Sequence, residues 1–173
     1  MKKQKGFSLI ELLIVVAIIL IIAAIAIPNL MRSKMAANEA SAVGSVRTIN
    51  TAEVTYSSTW GTGFAANLAS LGGAASPCVA TAAGACLIDG VLSAGAKSGY
   101  NFAAGGTLPQ NGVNNGFQVN AWPVAVGTTG QRSFCSDQSG VIKFDVSGAA
   151  AGLADPDCGN LVTAAGVSGP LGN

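Results

Sequence analysis

A single carboxylate, Glu11, lies inside an apolar segment near the start of the chain. In residues 7–27 the only polar residues are Ser8 and Glu11. A carboxylate in a hydrocarbon environment costs several kcal/mol unless it is paired, so a residue of this kind is functional by default. We therefore expect Glu11 to meet a positively charged partner.

Four cysteines, Cys78, Cys86, Cys135 and Cys158, follow the apolar segment. If this part of the chain lies in an oxidising compartment such as the periplasm, disulfides are expected. Four cysteines allow three connectivities. Zinc is the rival use of these thiols, but the chain has no Cys-x-x-Cys pair and no histidine, which argues against a zinc site.

The composition excludes several classes of function. The absence of histidine removes Ser-His-Asp and Cys-His catalysis as well as histidine metal sites. The formal net charge is +1, without the basic excess typical of a nucleic-acid-binding protein. We therefore predict a protein that is not an enzyme and that binds neither nucleic acid nor a cofactor. No metal site is expected, because Asp89 and the pair Asp155 and Asp157 have the spacing of turn residues; calcium bound near them is the alternative.

The apolar segment has the length of a membrane span. A helix of 21 residues at about 1.5 Å per residue is roughly 31 Å long, which matches the hydrocarbon core of a bilayer. Three lysines precede the segment, whereas Arg32 and Lys34 follow it, and this bias places the N-terminus in the cytoplasm. A cleaved secretory signal is the alternative, but its apolar part would be shorter.

The segment Lys5-Gly6-Phe7-Ser8-Leu9-Ile10-Glu11, continued by the apolar run to Asn29, resembles the N-termini of type IV prepilins and of type II secretion pseudopilins. The resemblance implies that a prepilin peptidase cleaves between Gly6 and Phe7 and that the new N-terminus of Phe7 is methylated. It also implies that Glu11 is an assembly residue, which pairs with the Phe7 amine of a neighbouring subunit. Pairing within one chain is the alternative, since the two residues lie one helical turn apart.

One position departs from the pattern of that family. Many members have a glycine near position 20, where this chain has Leu20. Leucine favours helix by about 1 kcal/mol relative to glycine. Pro28 removes one backbone hydrogen bond and is expected to kink the helix. Any local loss of helix in this region is therefore expected to be limited or to depend on Pro28.

The chain is predicted to be α+β, and the resemblance implies a pilin fold, in which one long N-terminal helix packs on a small antiparallel sheet. Helix-forming residues continue from Asn29 to about Ser58, and a stripe at helical spacing comprises Met35, Ala42, Val46, Ile49, Tyr56 and Trp60. A Gly-, Ala- and Ser-rich loop follows over residues 61–97, with Leu68, Leu71, Leu87, Ile88, Val91 and Leu92 as its anchors. Strands are predicted at Ser98–Ala103, Phe117–Val124, Gln131–Asp137 and Gly140–Val146, and Gly105-Gly106 is predicted to be a turn or loop. Apolar and other residues alternate over residues 117–122, which predicts that the second strand is half-buried, and residues 137–140 predict a tight turn between the last two strands.

Parts of this second region also resemble the globular domains of some bacterial pilin-like proteins, on segments that include 97–102, 129–134 and 139–142. By comparison with the closing loop of many pilins, we favour a Cys135–Cys158 disulfide that ties the tail to the third predicted strand, together with Cys78–Cys86. The domain organisation that follows is a leader over residues 1–6, a membrane and assembly helix over 7–28, and a periplasmic or extracellular domain over 29–173.

Three functional hypotheses follow from the sequence. The first is a structural subunit of a type IV pilus, with other pilin subunits, a prepilin peptidase and the inner-membrane assembly machinery as its partners. The second is a pseudopilin of a type II secretion system. The third is a membrane-anchored binding protein that shares the N-terminal signature. We expect the protein in the inner membrane before assembly and in an extracellular filament afterwards.

Overall fold

The computed structural model describes residues 7–73, 77–150, 158 and 168–171. The chain divides into two units, one that ends at Lys34 and one that begins at Met35. We call the second unit the head. The first helix, α1, spans Leu9–Trp60 and contains Pro28. The apolar segment and the segment that follows it therefore form one long helix, as predicted.

The first half of α1 presents apolar side chains to its surroundings. The most hydrophobic stretch is not buried within the protein, and α1 is long and apolar enough to cross a membrane. The side chains of Leu9, Leu13 and Ile25 are each more than 60% exposed. This half of the helix therefore requires an apolar environment that the described residues do not supply.

The second half of α1 belongs to the head and packs on the rest of it through the predicted stripe. Ala42, Val46, Ile49 and Tyr56 are buried, as predicted, whereas the terminal members Met35 and Trp60 are half-buried. A helical face of this spacing buries one side of the helix against the sheet and leaves the opposite side in solvent. We call the part of α1 from Met35 to Trp60 the spine.

The head contains a six-stranded antiparallel sheet whose strands follow chain order. Its strands are β1 (Ala96–Lys97), β2 (Tyr100–Gln110), β3 (Val113–Pro123), β4 (Ser133–Asp137), β5 (Lys143–Asp145) and β6 (Ser168–Pro170). The four predicted strands correspond to β2, β3, β4 and β5. The α+β fold, with a long helix packed on an antiparallel sheet, is thus confirmed.

The prediction that Gly105-Gly106 forms a turn or loop is wrong. Both glycines lie inside β2, opposite Gln118 and Phe117 of β3. A Cβ atom at Gly106 would overlap the side chain of Asn114, so this strand position requires glycine. The hairpin therefore continues beyond the predicted strand ends, and its turn lies at Asn111-Gly112.

The prediction that β3 is half-buried is also wrong. Phe117, Val119 and Ala121 face the core, as the alternation predicts, but Gln118 and Asn120 on the opposite side are buried as well. Alternation of apolar and polar residues predicts which face of a strand points to the core. Whether the other face is also buried depends on what else covers the sheet. Both faces of this strand are covered.

The loop region after the spine contains two short helices, α2 (Leu68–Leu71) and α3 (Gly90–Ser93). Of the predicted anchors, Leu68, Leu71, Ile88 and Leu92 are buried and Leu87 is half-buried. Val91 is 59% exposed and is not an anchor, because it lies on the outer side of α3. The tight turn predicted at 137–140 is present, with Gly140 at a φ of +74°.

Candidate functional site

Glu11 closes the first turn of its own helix. Its Oε2 accepts a hydrogen bond of 2.9 Å from the backbone N–H of Ser8, and the N–H of Leu12 donates to the Ser8 carbonyl oxygen at 3.3 Å. A serine followed three residues later by glutamate is the capping-box pattern, in which the glutamate satisfies a backbone donor that the helix leaves free. The pattern Ser8-Leu9-Ile10-Glu11 was a readable signal for this role, which the sequence interpretation missed.

The described residues around Glu11 present exposed apolar side chains and include no cation that pairs with it. Phe7 is 79% exposed and lies at the same end of α1 as Glu11. Gly6, the other residue of the predicted cleavage site, lies outside the described residues. The two ion pairs found within the described part of the chain do not involve Glu11. The structure thus places Phe7, Ser8 and Glu11 at one end of α1, and no counter-ion for Glu11 occurs among the described residues.

A second carboxylate, Glu39 on the spine, binds the β3–β4 connection. Its Oε2 accepts hydrogen bonds from Nε and Nη2 of Arg132 at 2.9 and 2.7 Å. Its Oε1 accepts the backbone N–H groups of Gln131 and Arg132 at 2.9 and 3.1 Å. Both oxygens of one carboxylate therefore connect the spine to the residue that precedes β4.

The Glu39 carboxylate is held in its ionised form. Partial burial acts to raise the pKa of Glu39, but the hydrogen bonds from Gln131 and Arg132 and the charge of Arg132 outweigh it, so that the pKa lies below its usual value. The Arg132 guanidinium also stands 5.7 Å from the ring centre of Phe134 and 5.5 Å from that of Phe144. This pair could not be predicted from a local sequence pattern, because 93 residues separate its members.

The four cysteines form the two pairs that the resemblance favours. Cys78 is bonded to Cys86 across eight residues, and Cys135 of β4 is bonded to Cys158 across 23 residues. The Lys143 side chain of β5 donates a hydrogen bond of 3.0 Å to the Cys158 carbonyl oxygen. The second disulfide and this hydrogen bond together fasten residue 158 to two neighbouring strands.

Asp89 has a structural role. Its Oδ1 accepts the backbone N–H of Leu92 and caps α3, and its Oδ2 forms an ion pair of 3.0 Å with Lys97. The hydrogen bond from the Leu92 N–H and, to a lesser extent, that from the Lys97 side chain lower the pKa of the Asp89 carboxyl. Asp155 and Asp157, the other acidic residues considered for calcium, lie outside the described residues.

Comparisons with known proteins match the N-terminal part of the chain. Residues 1–27 match the family described as the prokaryotic N-terminal methylation motif. The chain is 59% identical over 39 residues to the type IV wide pilus major component PilA4 of Thermus thermophilus. That match covers 22% of this chain and 30% of the relative's length, and no solved structure matches the chain significantly. The N-terminal motif and this relative support a type IV pilin-like protein, and the long helix packed on an antiparallel sheet is consistent with a pilin fold.

Proposed function

We propose that this protein is a structural subunit of a type IV pilus. In this proposal a prepilin peptidase cleaves between Gly6 and Phe7, the Phe7 amine is methylated, and the protein is held in the inner membrane with its N-terminus in the cytoplasm. Assembly machinery of that membrane then transfers it into a filament of identical subunits outside the cell. The filament would serve motility, attachment or DNA uptake.

The exposed apolar half of α1 is the observation that carries this proposal. Apolar side chains cover its circumference, and none of its most hydrophobic stretch is buried by the described residues. Two environments can cover such a helix, namely lipid and a bundle of equivalent helices. A pilin meets both in turn, because it is stored in the membrane and then polymerised.

Glu11 favours polymerisation over simple anchoring. An anchor needs no carboxylate in its apolar helix, and the capping bond from Ser8 occupies only one oxygen of Glu11. After cleavage, the Phe7 ammonium of a second subunit supplies the missing cation. Two unit charges about 4 Å apart attract by roughly 4 kcal/mol at an effective dielectric constant of 20, which is comparable with the cost of burying them. The pair would therefore fix the axial register of neighbouring helices more than it adds to net stability.

The head suits a filament outside the cell. Two disulfides close loops in it, which is typical of proteins in oxidising compartments. Few charged residues occur in the chain, 10% in all, and four of those in the head are used in the pairs Glu39–Arg132 and Asp89–Lys97. The surface of the head therefore leaves few charges to repel neighbouring subunits in a polymer.

A gene deletion tests the proposal directly. Filaments on the surface of wild-type and deletion cells are imaged, and the material sheared from each is identified by mass spectrometry. We expect the sheared wild-type filaments to contain this protein and the deletion strain to lack filaments of that kind. Filaments that persist unchanged without the protein, combined with a loss of protein secretion, would instead indicate a pseudopilin of a type II secretion system.

A further inference from the structure

Glu53 on the spine is a carboxyl group buried in the head without a cation. The residue is 0% exposed. Its Oε2 accepts the backbone N–H of Ala65 at 2.9 Å, and its Oε1 has no hydrogen-bond partner among the described residues. A buried carboxylate with one hydrogen bond and no counter-ion is strongly disfavoured, because it has lost its hydration without compensation.

Two long segments of the head, one of which includes Ala65, carry no charge. Residues 54–88, which include the segment after the spine, contain no Asp, Glu, Lys or Arg, and residues 98–131, which supply β2 and β3, contain none either. The tyrosine hydroxyls and the cysteine sulfurs in these segments have other partners. The Tyr56 hydroxyl donates to the Ala82 carbonyl, the Tyr100 hydroxyl donates to the Arg132 carbonyl, and Cys78 is bonded to Cys86.

The charged residues on the neighbouring elements have other contacts. On the spine, Arg47 is exposed and Glu39 is bound to Arg132. On β4, Ser136 contacts the spine, whereas Asp137 accepts the backbone N–H of Ser139 in the following turn. On β5, Lys143 and Asp145 bind residues 158 and 147. No charged side chain among the described residues therefore compensates Glu53.

A second buried acceptor without a partner lies on the same face of the spine. The Nδ2 of Asn50 donates to Ser136 Oγ at 2.8 Å, which fixes the orientation of the amide, and its Oδ1 is buried without a partner. Residues three apart on a helix are neighbours on its surface. One proton on Glu53 would satisfy both Glu53 Oε1 and Asn50 Oδ1, since the neutral carboxyl becomes a donor.

We propose that Glu53 is a proton-binding site of the folded head, in which Oε1 of the neutral carboxyl donates to Asn50 Oδ1. Loss of this proton as the pH rises through neutrality weakens the joint between the spine and residues 61–67. The electrostatic environment agrees, because burial raises the pKa of Glu53 to about 7, against the weaker opposing effect of the Ala65 N–H.

The direction of the pH dependence follows from this shift. Between its usual value of 4.5 and about 7, folded Glu53 keeps a proton that the unfolded chain has lost. The contribution of protonated Glu53 to stability is therefore full below pH 4.5 and falls as the pH rises toward 7, with the unfolding equilibrium constant increased by up to about 300-fold. The chain has no histidine, so no other side chain with an ordinary pKa titrates between pH 5 and 7.

A titration of the whole protein in detergent micelles measures the proposed site directly. The chain has three glutamates, Glu11, Glu39 and Glu53, so carboxyl-labelled glutamate gives three carbon signals that single Glu→Gln variants assign. We expect the Glu53 signal to titrate near pH 7 and the Glu39 signal below pH 4.5. A Glu53 midpoint near 4.5 overturns the proposal.

Two substitutions test the proton acceptor. Asn50→Ala removes Oδ1 and should lower the Glu53 midpoint, because the neutral carboxyl loses its acceptor. Ser136→Ala is the matched control, since it removes the other partner of Asn50 but leaves Oδ1 in place, and should leave the midpoint unchanged. Equal midpoints in both variants and in the wild type exclude Asn50 as the acceptor.

Thermal unfolding tests the consequence for the head. We expect the wild-type Tm to fall between pH 5 and pH 8. Glu53→Gln should fold and have a constant Tm in this range, because a neutral amide can accept from Ala65 and donate to Asn50. A wild-type pH slope that persists in Glu53→Gln overturns the proposal, and if this variant does not fold, the wild-type titration decides alone.

Discussion

Glu39 and Arg132 form a two-bond ion pair that joins the N-terminal end of the spine to the residue before β4, with Oε2 of Glu39 2.7 and 2.9 Å from two guanidinium nitrogens. The same carboxylate accepts two backbone N–H groups. Arg132 in turn lies beside the rings of Phe134 and Phe144. The Glu39 side chain thus binds the β3–β4 connection directly and, through Arg132, holds a guanidinium beside two aromatic rings.

We predict that Glu39→Ala destabilises the head by about 1–3 kcal/mol, because it leaves a partly buried guanidinium and two N–H groups without their acceptor. Chemical denaturation followed by tryptophan fluorescence measures the loss. Arg47→Ala, which removes an exposed charge from the same spine, should change stability by less than about 0.5 kcal/mol and serves as the control. Equal effects of the two substitutions would contradict this role.

Acid should weaken the same contact. Because the pKa of Glu39 is lower in the folded head than its usual value of 4.5, its contribution is present above pH 4.5 and is lost as the pH falls through the folded pKa. We expect the Tm of the wild type to decline below pH 4.5, and that of Glu39→Gln to decline less. Parallel acid slopes for the two proteins would show that other carboxyls are responsible.

We predict that Glu11→Ala abolishes filament assembly without preventing membrane insertion or processing. The helix becomes more hydrophobic, so insertion should be unchanged or better. The incoming Phe7 amine, however, would enter an apolar bundle unpaired, at a cost of several kcal/mol. The ratio of the protein in the sheared surface fraction to that in the membrane fraction measures the effect.

Two further variants at this end of α1 separate charge from capping. Glu11→Gln keeps an acceptor for the Ser8 N–H but not the charge, and should assemble at an intermediate level. Ser8→Ala retains both the N–H and the Glu11 charge, and should assemble like the wild type. Normal filament levels in Glu11→Ala would refute the assembly role and favour a membrane-anchored binding protein.

We predict that the mature protein begins at Phe7 and carries an N-methyl group. Intact-mass analysis of sheared filaments measures this directly. Replacing Gly6 with a bulky residue should leave the unprocessed form in the membrane, because a side chain blocks access to the scissile bond. Filaments whose subunits retain residues 1–6 would rule out this cleavage.

We predict that the Cys135–Cys158 disulfide stabilises the head more than Cys78–Cys86. The chain-entropy relation gives about 3.5 kcal/mol for a separation of 23 residues and about 2.5 kcal/mol for a separation of eight. Paired Cys→Ser variants, compared by chemical denaturation, measure the two values. Peptide mapping checks the pairing itself, and a free thiol or a crossed pair in the mature protein would contradict it.

The sequence by itself determined the elements whose signals are local. The apolar run of residues 7–27, interrupted only by Ser8 and Glu11, predicts a helix of membrane length. The 3.6-residue spacing of Ala42, Val46 and Ile49 identifies the buried side of the spine. The Asp137–Gly140 turn is local in the same sense, because it depends on side-chain bonds and a positive φ within four residues.

Only the tertiary structure decided the features that depend on residues far apart in the chain. In the sequence, Gly105 and Gly106 resemble loop residues, but in the fold both pair with β3. The Asn114 side chain of that strand leaves no room for a Cβ atom at Gly106. Glu39 meets Arg132 across 93 residues, and the burial of Gln118 follows from what covers both faces of the sheet. In the sequence, Glu53 looks like an ordinary glutamate on a helix surface. The residue type specifies only that the side chain can carry a charge. The fold decides whether water or a counter-ion is present to stabilise that charge, and it buries Glu53 completely.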